Sequence, residues 1–386
     1  MNNSFKTLVS AAVLILSAAG CREQKNGRDD IVAVEGYEEA GADCPEYGAD
    51  CRIVRLEESE NTMLFNIKQV EVADSSYVVF DNGRQALYRF SLDGKFLNGI
   101  GRIGRAGNEY LRLDTFVITP EGRVLLFDGA SDKILVYGLD GKYHATMTFP
   151  KRSLGFVNEG VCIGKDSLLV NNGLFNNENG IYRIIHLSDC RVETMERIPM
   201  KSEGIAEYVG MHPVSRGDDI TLLRPFDDAV YALDGSGKLQ PLFKVRQSKP
   251  LVEESYYETN PVFSTGKTYM ELTNKGYFPG FTSLFESDRH YLLGYFNTDY
   301  FLVDKQAKRG IRMTLSRKVQ GTFPVINIVG SADDTFIGVW EPSGFTCRQI
   351  LSQFEEASGE NVPGIVKELG DIPENANPCL LLYRFN

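Results

Sequence analysis

The chain has no run of lysine or arginine beyond its N-terminal segment, and its 386 residues carry a formal net charge of −11. A phosphate backbone is held by a concentrated basic surface, so no nucleic-acid partner is expected. None of the seven cysteines falls in a C-x-x-C pair, which argues against a thiolate zinc site. There are only four histidines. His144 and His186 fall on predicted outer or third strands, His290 on a second strand, and only His212 begins an inner one, so a three-histidine metal centre is not expected. No G-x-S-x-G elbow, HExxH helix or P-loop occurs. The acidic pairs Asp218-Asp219, Asp227-Asp228 and Asp333-Asp334 each sit in a predicted turn, where aspartate bonds the local backbone. Turn chemistry is the reading preferred over calcium ligation, and no cofactor is expected.

Long apolar runs are also missing, apart from Leu8 to Leu16 (LVSAAVLIL), which is too short to span a bilayer. Lys6 precedes it and the small residues Ser17-Ala18-Ala19-Gly20 follow, then Cys21. Residues 1–20 read as a secretory signal. The segment resembles a bacterial lipoprotein signal, with Ala18 where leucine is commoner, and that resemblance implies acylation of Cys21. The alternative is an ordinary signal peptide cleaved nearby. Residues 21–43 are polar and acidic without a period and are expected to form a flexible tether. Export permits disulfides. Cys44 and Cys51 are close enough in sequence to pair, whereas Cys162, Cys190 and Cys379 lie in apolar strand-like runs that suit buried thiols.

What is abundant is aromatic and strand-forming, with 18 Tyr and 23 Phe, and it repeats. FSLDGKF (Phe90 to Phe96) recurs as YGLDGKY (Tyr137 to Tyr143), placing Asp93 and Asp140 47 residues apart. Asp189 lies 49 further on, Asp234 another 45, and Asp304 another 70, which implies an insertion. Asp81 and Asp128, in VVFDNG and LLFDGA, are also 47 apart. Each unit reads as four short strands, the third and fourth joined by an Asp-Gly turn whose glycine supplies positive φ. Four strands about every 45–50 residues mark a β-propeller blade. Six units start near Phe65, Leu113, Gly155, Tyr208, Phe278 and Phe323. The expected fold is therefore an all-β, six-bladed propeller of four-stranded antiparallel blades over residues 44–386. Insertions fall at about 248–275 and 345–377, the second with a helix at Arg348 to Ala357. The sixth blade is one strand short. CRIVRLEES (Cys51 to Ser59) is strand-like and is expected to supply it, closing the ring.

GIGRIGRAGNEY, the LDGK-type turns and the ending NPCLLLYRFN after a helical insertion together resemble the six-bladed β-propeller lipoproteins of Bacteroidetes, relatives of NHL-repeat propellers. The likeness covers about residues 51–386. This chain has Arg105-Ala106-Gly107-Asn108 where the family often carries Gly-Pro-Gly. The resemblance implies an exported lipoprotein in the cell envelope, in the outer membrane with its facing side open. It implies no particular chemistry.

Gly99, Gly101 and Gly104 match the G-x-G-x-x-G of a dinucleotide turn, and Asp128 lies 24 residues beyond. The motif needs a following helix, and Arg105 to Asp114 has no amphipathic stripe. The glycines are read instead as a blade-to-blade crossing. Crossings of this kind gather around the axial channel, so the ligand-binding candidates are Arg102, Arg105, Glu109, Tyr110, Arg152, Tyr208, His212 and Tyr277. Beside that stands the blander reading that Glu109 and an arginine brace neighbouring blades. The function expected first is a lipid-anchored binding module for a small molecule, glycan, peptide or envelope protein. A lyase or hydrolase at the channel mouth, and a scaffold acting through the insertions, are the alternatives.

Overall fold

The computed structural model describes residues 33–37 and 49–385, apart from 60–61, 172–181, 197–213, 217–218, 225, 235–236, 254, 261–264, 296–298, 314–324 and 359–363. Tyr208, His212, Cys21 and Cys44 lie outside the described residues.

Six blades follow one another around an axis. The first is Ile67–Ala73, Ser76–Asp81, Ala86–Ser91 and Phe96–Ile100. The second is Thr115–Ile118, Arg123–Asp128, Lys133–Gly138 and Tyr143–Thr148. The third is Glu159–Ile163, Ser167–Asn171, Tyr182–His186 and Arg191–Glu196. The fourth is Val214–Arg216, Asp219–Leu223, Ala229–Leu233 and Leu239–Val245, and the fifth is Ser283–Glu286, His290–Tyr295, Asp299–Asp304 and Arg309–Met313. The sixth takes Ile328–Ala332, Thr335–Trp340 and Cys379–Phe385 from the C-terminal end of the chain and its outer strand, Ala49–Arg55, from the other end. Cys51 pairs with Tyr383 and Arg55 with Cys379, so the ring closes where the sequence left a strand missing.

The second strands of blades one and two are almost wholly buried. Ser76–Asp81 is buried throughout, and Arg123–Asp128 is buried beyond its first residue. Both faces of such a strand meet a neighbouring blade, so the two-residue alternation of a half-exposed strand gives way to a continuous run. The packing is divided accordingly. One cluster joins Val78, Phe80 and Leu87 of the first blade to Phe116, Leu126 and Leu135 of the second. Five others fill the remaining blade interfaces.

The third-to-outer turns of blades one, two and four end on a glycine of one geometry. Gly94, Gly141 and Gly237 hold φ of +85°, +78° and +79°, and each donates its N–H to a carbonyl three residues back; the first two directly follow the repeated aspartate, whereas Gly237 lies three residues after Asp234. These turns join third strands to outer strands. Because the strands alternate, they lie on the same face as the turns between inner and second strands. The blade-to-blade crossings and both insertions lie on the other face. The first insertion carries the helices Ser255–Thr259 and Thr265–Asn274, whose Tyr257 and Tyr269 pack on Phe226 with ring centroids 5.1 Å away. The second carries Phe345–Ser358 and Gly364–Gly370, whose buried side chains join the core between blades five and six.

The expected tether is not free along its whole length. Ala33–Tyr37 forms a strand parallel to two outer strands at once, pairing Ala33 with Lys244 in blade four and Glu35 with Arg309 in blade five. The two blades had outer edges with unpaired backbone groups, and this segment satisfies part of both. The turn reading of the acidic pairs fits Asp227, whose carboxylate accepts from the Asp228 and Ala229 N–H groups at 2.7 and 3.1 Å and from the Tyr231 hydroxyl at 2.9 Å.

Asn377 fastens the closure from the side. Its amide donates to the carbonyls of Thr62 (2.7 Å) and Glu57 (3.2 Å) and accepts from the N–H of Leu64 (2.8 Å), all within a site 4% exposed. Replacing it with alanine leaves these buried backbone groups without their partner. Asn377→Ala is expected to lower the unfolding free energy by about 3 kcal/mol in urea titrations.

Candidate functional site

Because packing is confined to the interfaces between blades, the axis is left as space. A cavity of about 730 Å3 occupies it, lined by inner strands and their following turns: Gln69 to Ala73 of blade one, Val117 to Pro120 of blade two, Glu159 to Cys162 with Gly164 and Lys165 of blade three, Phe285 of blade five, and Val329 to Ser331 of blade six. In blades one and two the lining takes the later part of the inner strand, and in blades two and three it runs on into the turn beyond. The opening is therefore on the face of the inner-to-second turns, opposite the crossings.

The inner strand of a blade has no strand on its axial side, so its backbone groups need other partners. Side chains supply them. Gln69 donates its amide to the Phe116 carbonyl (3.0 Å) and to Glu71 Oε1 (2.8 Å), while its oxygen accepts from the Thr115 hydroxyl (2.8 Å). Lys68 donates its ammonium to the carbonyls of Asp114 (3.0 Å) and Asn158 (3.2 Å), linking three blades where their inner strands begin. A β-bulge skips Lys68 in the pairing of its strand, and blade six carries one at Val329; such bulges re-aim side chains. The rings of Phe80 and Phe156 lie 5.9 and 5.8 Å from the Lys68 ammonium. Burial lowers the Lys68 pKa, opposed by the nearby Glu159 and Asp114. Gly330 must be glycine, because a Cβ there would stand 2.1 Å from the Val70 carbonyl oxygen.

Two carboxylates line the cavity. Glu71 keeps only partial exposure, all of it among the lining residues. Burial pushes its pKa up to about 8, against the lowering effect of hydrogen bonds from Gln69 and the Ile118 N–H and with the charge of Glu159 adding to the rise. Glu159 is 8% exposed. Cys162 lies beside them, its thiol pushed up to about 11 by burial and by Glu71. Among the described residues, no three His, Cys, Asp or Glu side chains are grouped to hold a metal ion.

Among the described residues, none of the candidates named from the crossings (Arg102, Arg105, Glu109, Tyr110, Arg152 and Tyr277) lines this cavity. Glu109 accepts from Arg102 Nε (2.7 Å) and from the Ala106 N–H (2.9 Å), closing its own loop. Those bonds hold its carboxyl below the usual carboxylate range. Tyr110 is 1% exposed, bonded through its hydroxyl to the Gln85 carbonyl (2.8 Å), and so is withdrawn from ligands. Gly101, at φ +70°, makes room for it: a Cβ would fall 2.6 Å from Leu126 Cδ1 and 3.0 Å from Tyr110 Cε1. Arg105 is exposed beside this loop. Arg152, at φ +64°, donates its backbone N–H to Asp132 (2.7 Å) one crossing further round, and Tyr277 is half-buried against the helical insertion. The structure therefore brings Arg102 and Glu109 together and leaves Arg152 and Tyr277 apart from them.

An all-β ring of six four-stranded blades with a lined axial cavity defines the chain as a six-bladed β-propeller. It belongs to the family described as domain of unknown function DUF4934, whose model matches residues 31–384. None of the curated proteins matches it. Among solved structures, a Bacteroides fragilis protein described as exported is similar at 17% identity and a TM-score of 0.67, over 92% of this chain and 99% of that one. A member of the DUF4221 family from Bacteroides vulgatus is similar at 8% identity and a TM-score of 0.55, over 88% and 98%. At these identities the likeness concerns the fold.

Glu71 ties stability to pH. Unfolded, a glutamate loses its proton near pH 4.3, while the folded protein keeps it to about pH 8. Over that window the folded state binds the extra proton, so stability falls as pH rises. Glu71→Gln is expected to match the parent at pH 4 and to exceed it by up to about 5 kcal/mol at pH 8.5, measured by urea unfolding at both.

Proposed function

We propose that the protein is an envelope-anchored binding module whose ligand occupies the axial cavity. The observation that carries this reading is the cavity: it is large enough for a small ligand, walled by Val70, Val117, Ile118 and Val161, and furnished with a few polar groups at Gln69, Glu71, Glu159 and Ser331. Apolar walls with sparse polar groups bind and orient small molecules or the end of a chain. The signal-like residues 1–20 and Cys21 support anchoring through acyl chains, and the similar Bacteroides fragilis protein, described as exported, is in keeping with it. A second reading, a lyase or hydrolase acting on carbohydrate or peptide, draws on Glu71, since a carboxyl that keeps its proton near neutrality can act as a general acid.

Val72 is 37% exposed and lines the cavity. In a thermal-shift screen of glycans, peptides and metabolites, at least one class is expected to raise the melting temperature of the parent, and Val72→Trp, which puts a bulky ring on the cavity lining, is expected to abolish that rise. A rise that survives Val72→Trp places the ligand elsewhere.

Anchoring is tested separately. Cys21→Ser is expected to move the protein from the membrane fraction to the soluble fraction and to stop incorporation of labelled palmitate. Retention of both label and membrane association would refute it.

A further inference from the structure

The cavity is uneven in charge. Its described lining holds two carboxylates, Glu71 and Glu159, and one cation, Lys165, exposed in the turn after Ile163. The ammonium of Lys68, bonded to the Asp114 and Asn158 carbonyls, lies near enough to Glu159 for their charges to interact, but Lys68 does not line the space. Around the carboxylates the walls are aliphatic: Val117, Ile118, Val161 and Val329, with Phe285 beyond. An anion entering here would meet the Glu159 carboxylate and would oppose ionisation of Glu71. A cation with a carbon body satisfies both parts of the lining, and the net charge of −11 favours its approach.

Resting on the binding reading above, we propose that the axial cavity takes a ligand bearing a protonated primary amine on an aliphatic body, the ammonium bonded to Glu71 within the field of Glu159. The groups facing Glu71 are Gln69 on its own strand, the Ile118 N–H of blade two, and Glu159 and Cys162 of blade three, with Lys165 at the rim. The facing residues of blade six, Val329 to Ser331, carry no titratable group. In the empty cavity Glu71 holds its proton to about pH 8, and the Cys162 thiol stays neutral to about 11. A primary amine of pKa near ~10.4 remains charged throughout. Its binding drives the Glu71 proton into solvent, so affinity rises with pH up to about 8 and then levels.

The test is calorimetric titration of two matched probe pairs into the full protein. One pair is hexylamine and hexanol. The other is acetyl-Ala-Lys-Ala-amide and the same peptide with N-acetyl-lysine. Each is measured at pH 6.5 and 8.5, in two buffers of different ionisation enthalpy. At least one amine is expected to bind roughly tenfold or more tighter than its uncharged partner. It should bind roughly 20-fold tighter at pH 8.5 than at 6.5, with about one proton released at the lower pH. Binding by hexylamine alone points to a free amine, and binding by the peptide alone to a lysyl side chain. Glu71→Gln should remove the preference and the proton release together. Equal binding of charged and uncharged probes, binding without proton release, indifference to Glu71→Gln, or no binding of either amine overturns the proposal. If the uncharged probes bind as well as the amines and Val72→Trp abolishes both, the cavity remains the binding site and only the amine assignment falls. Proton release is read on the unsubstituted protein, so the test stands even if the glutamine variant does not fold.

Discussion

The ladder between Ala49–Arg55 and Cys379–Phe385 is the constraint on which the other contacts rest. Inside every other blade, strands pair with neighbours in sequence, and such hairpins cost little loop-closure entropy. They do not by themselves bring blade six against blade one. The closing ladder does, across more than 320 residues of chain. It thereby completes the sixth interface, where Val54 and Leu380 meet Val70 and Val79. An open ring would present that apolar surface and two sheet edges to solvent.

A closed ring has a second consequence at its centre. Six separate interfaces hold the apolar packing, so the axis is the one place where inner-strand backbone lacks both a partner strand and a core. Polar side chains are drawn there to satisfy it. Lys68 reaches carbonyls on two other blades, and Gln69 reaches a third carbonyl and steadies Glu71. The same demand that recruits structural hydrogen bonds places ionisable groups where burial shifts them, and shifted groups in a cavity are a hallmark of sites.

Much of the architecture was legible because the third-to-outer turn recurs with one chemistry. Asp93-Gly94 and Asp140-Gly141 each need a residue at positive φ, and glycine marks the place. The missing strand of blade six was equally visible as an unassigned apolar segment near the start of the chain. The strand Ala33–Tyr37 was not, because its parallel pairing uses backbone alone and AVEGY has no alternation to announce it. The cavity residues were hidden for a different reason. Gln69 and Glu71 occupy alternate positions that read as the wet face of an ordinary strand, and only the ring turns that face inward. Tyr110 misled in the opposite sense. Lying among glycines it looked exposed, yet one of them, Gly101, lacks a side chain so that the Tyr110 ring can pack between blades one and two.

The segment Ala33–Tyr37 also decides how the molecule bears mechanical load. It comes before the closing strand in the chain and lies across the seam between blades four and five, its first two residues paired with blade four and its last three with blade five. Tension on the N-terminal segment meets this staple first. Its bonds run between parallel strands and are loaded in shear, so they resist together instead of opening one at a time. The pull is shared by two blades on the rim, and the ladder that closes the ring is shielded from it.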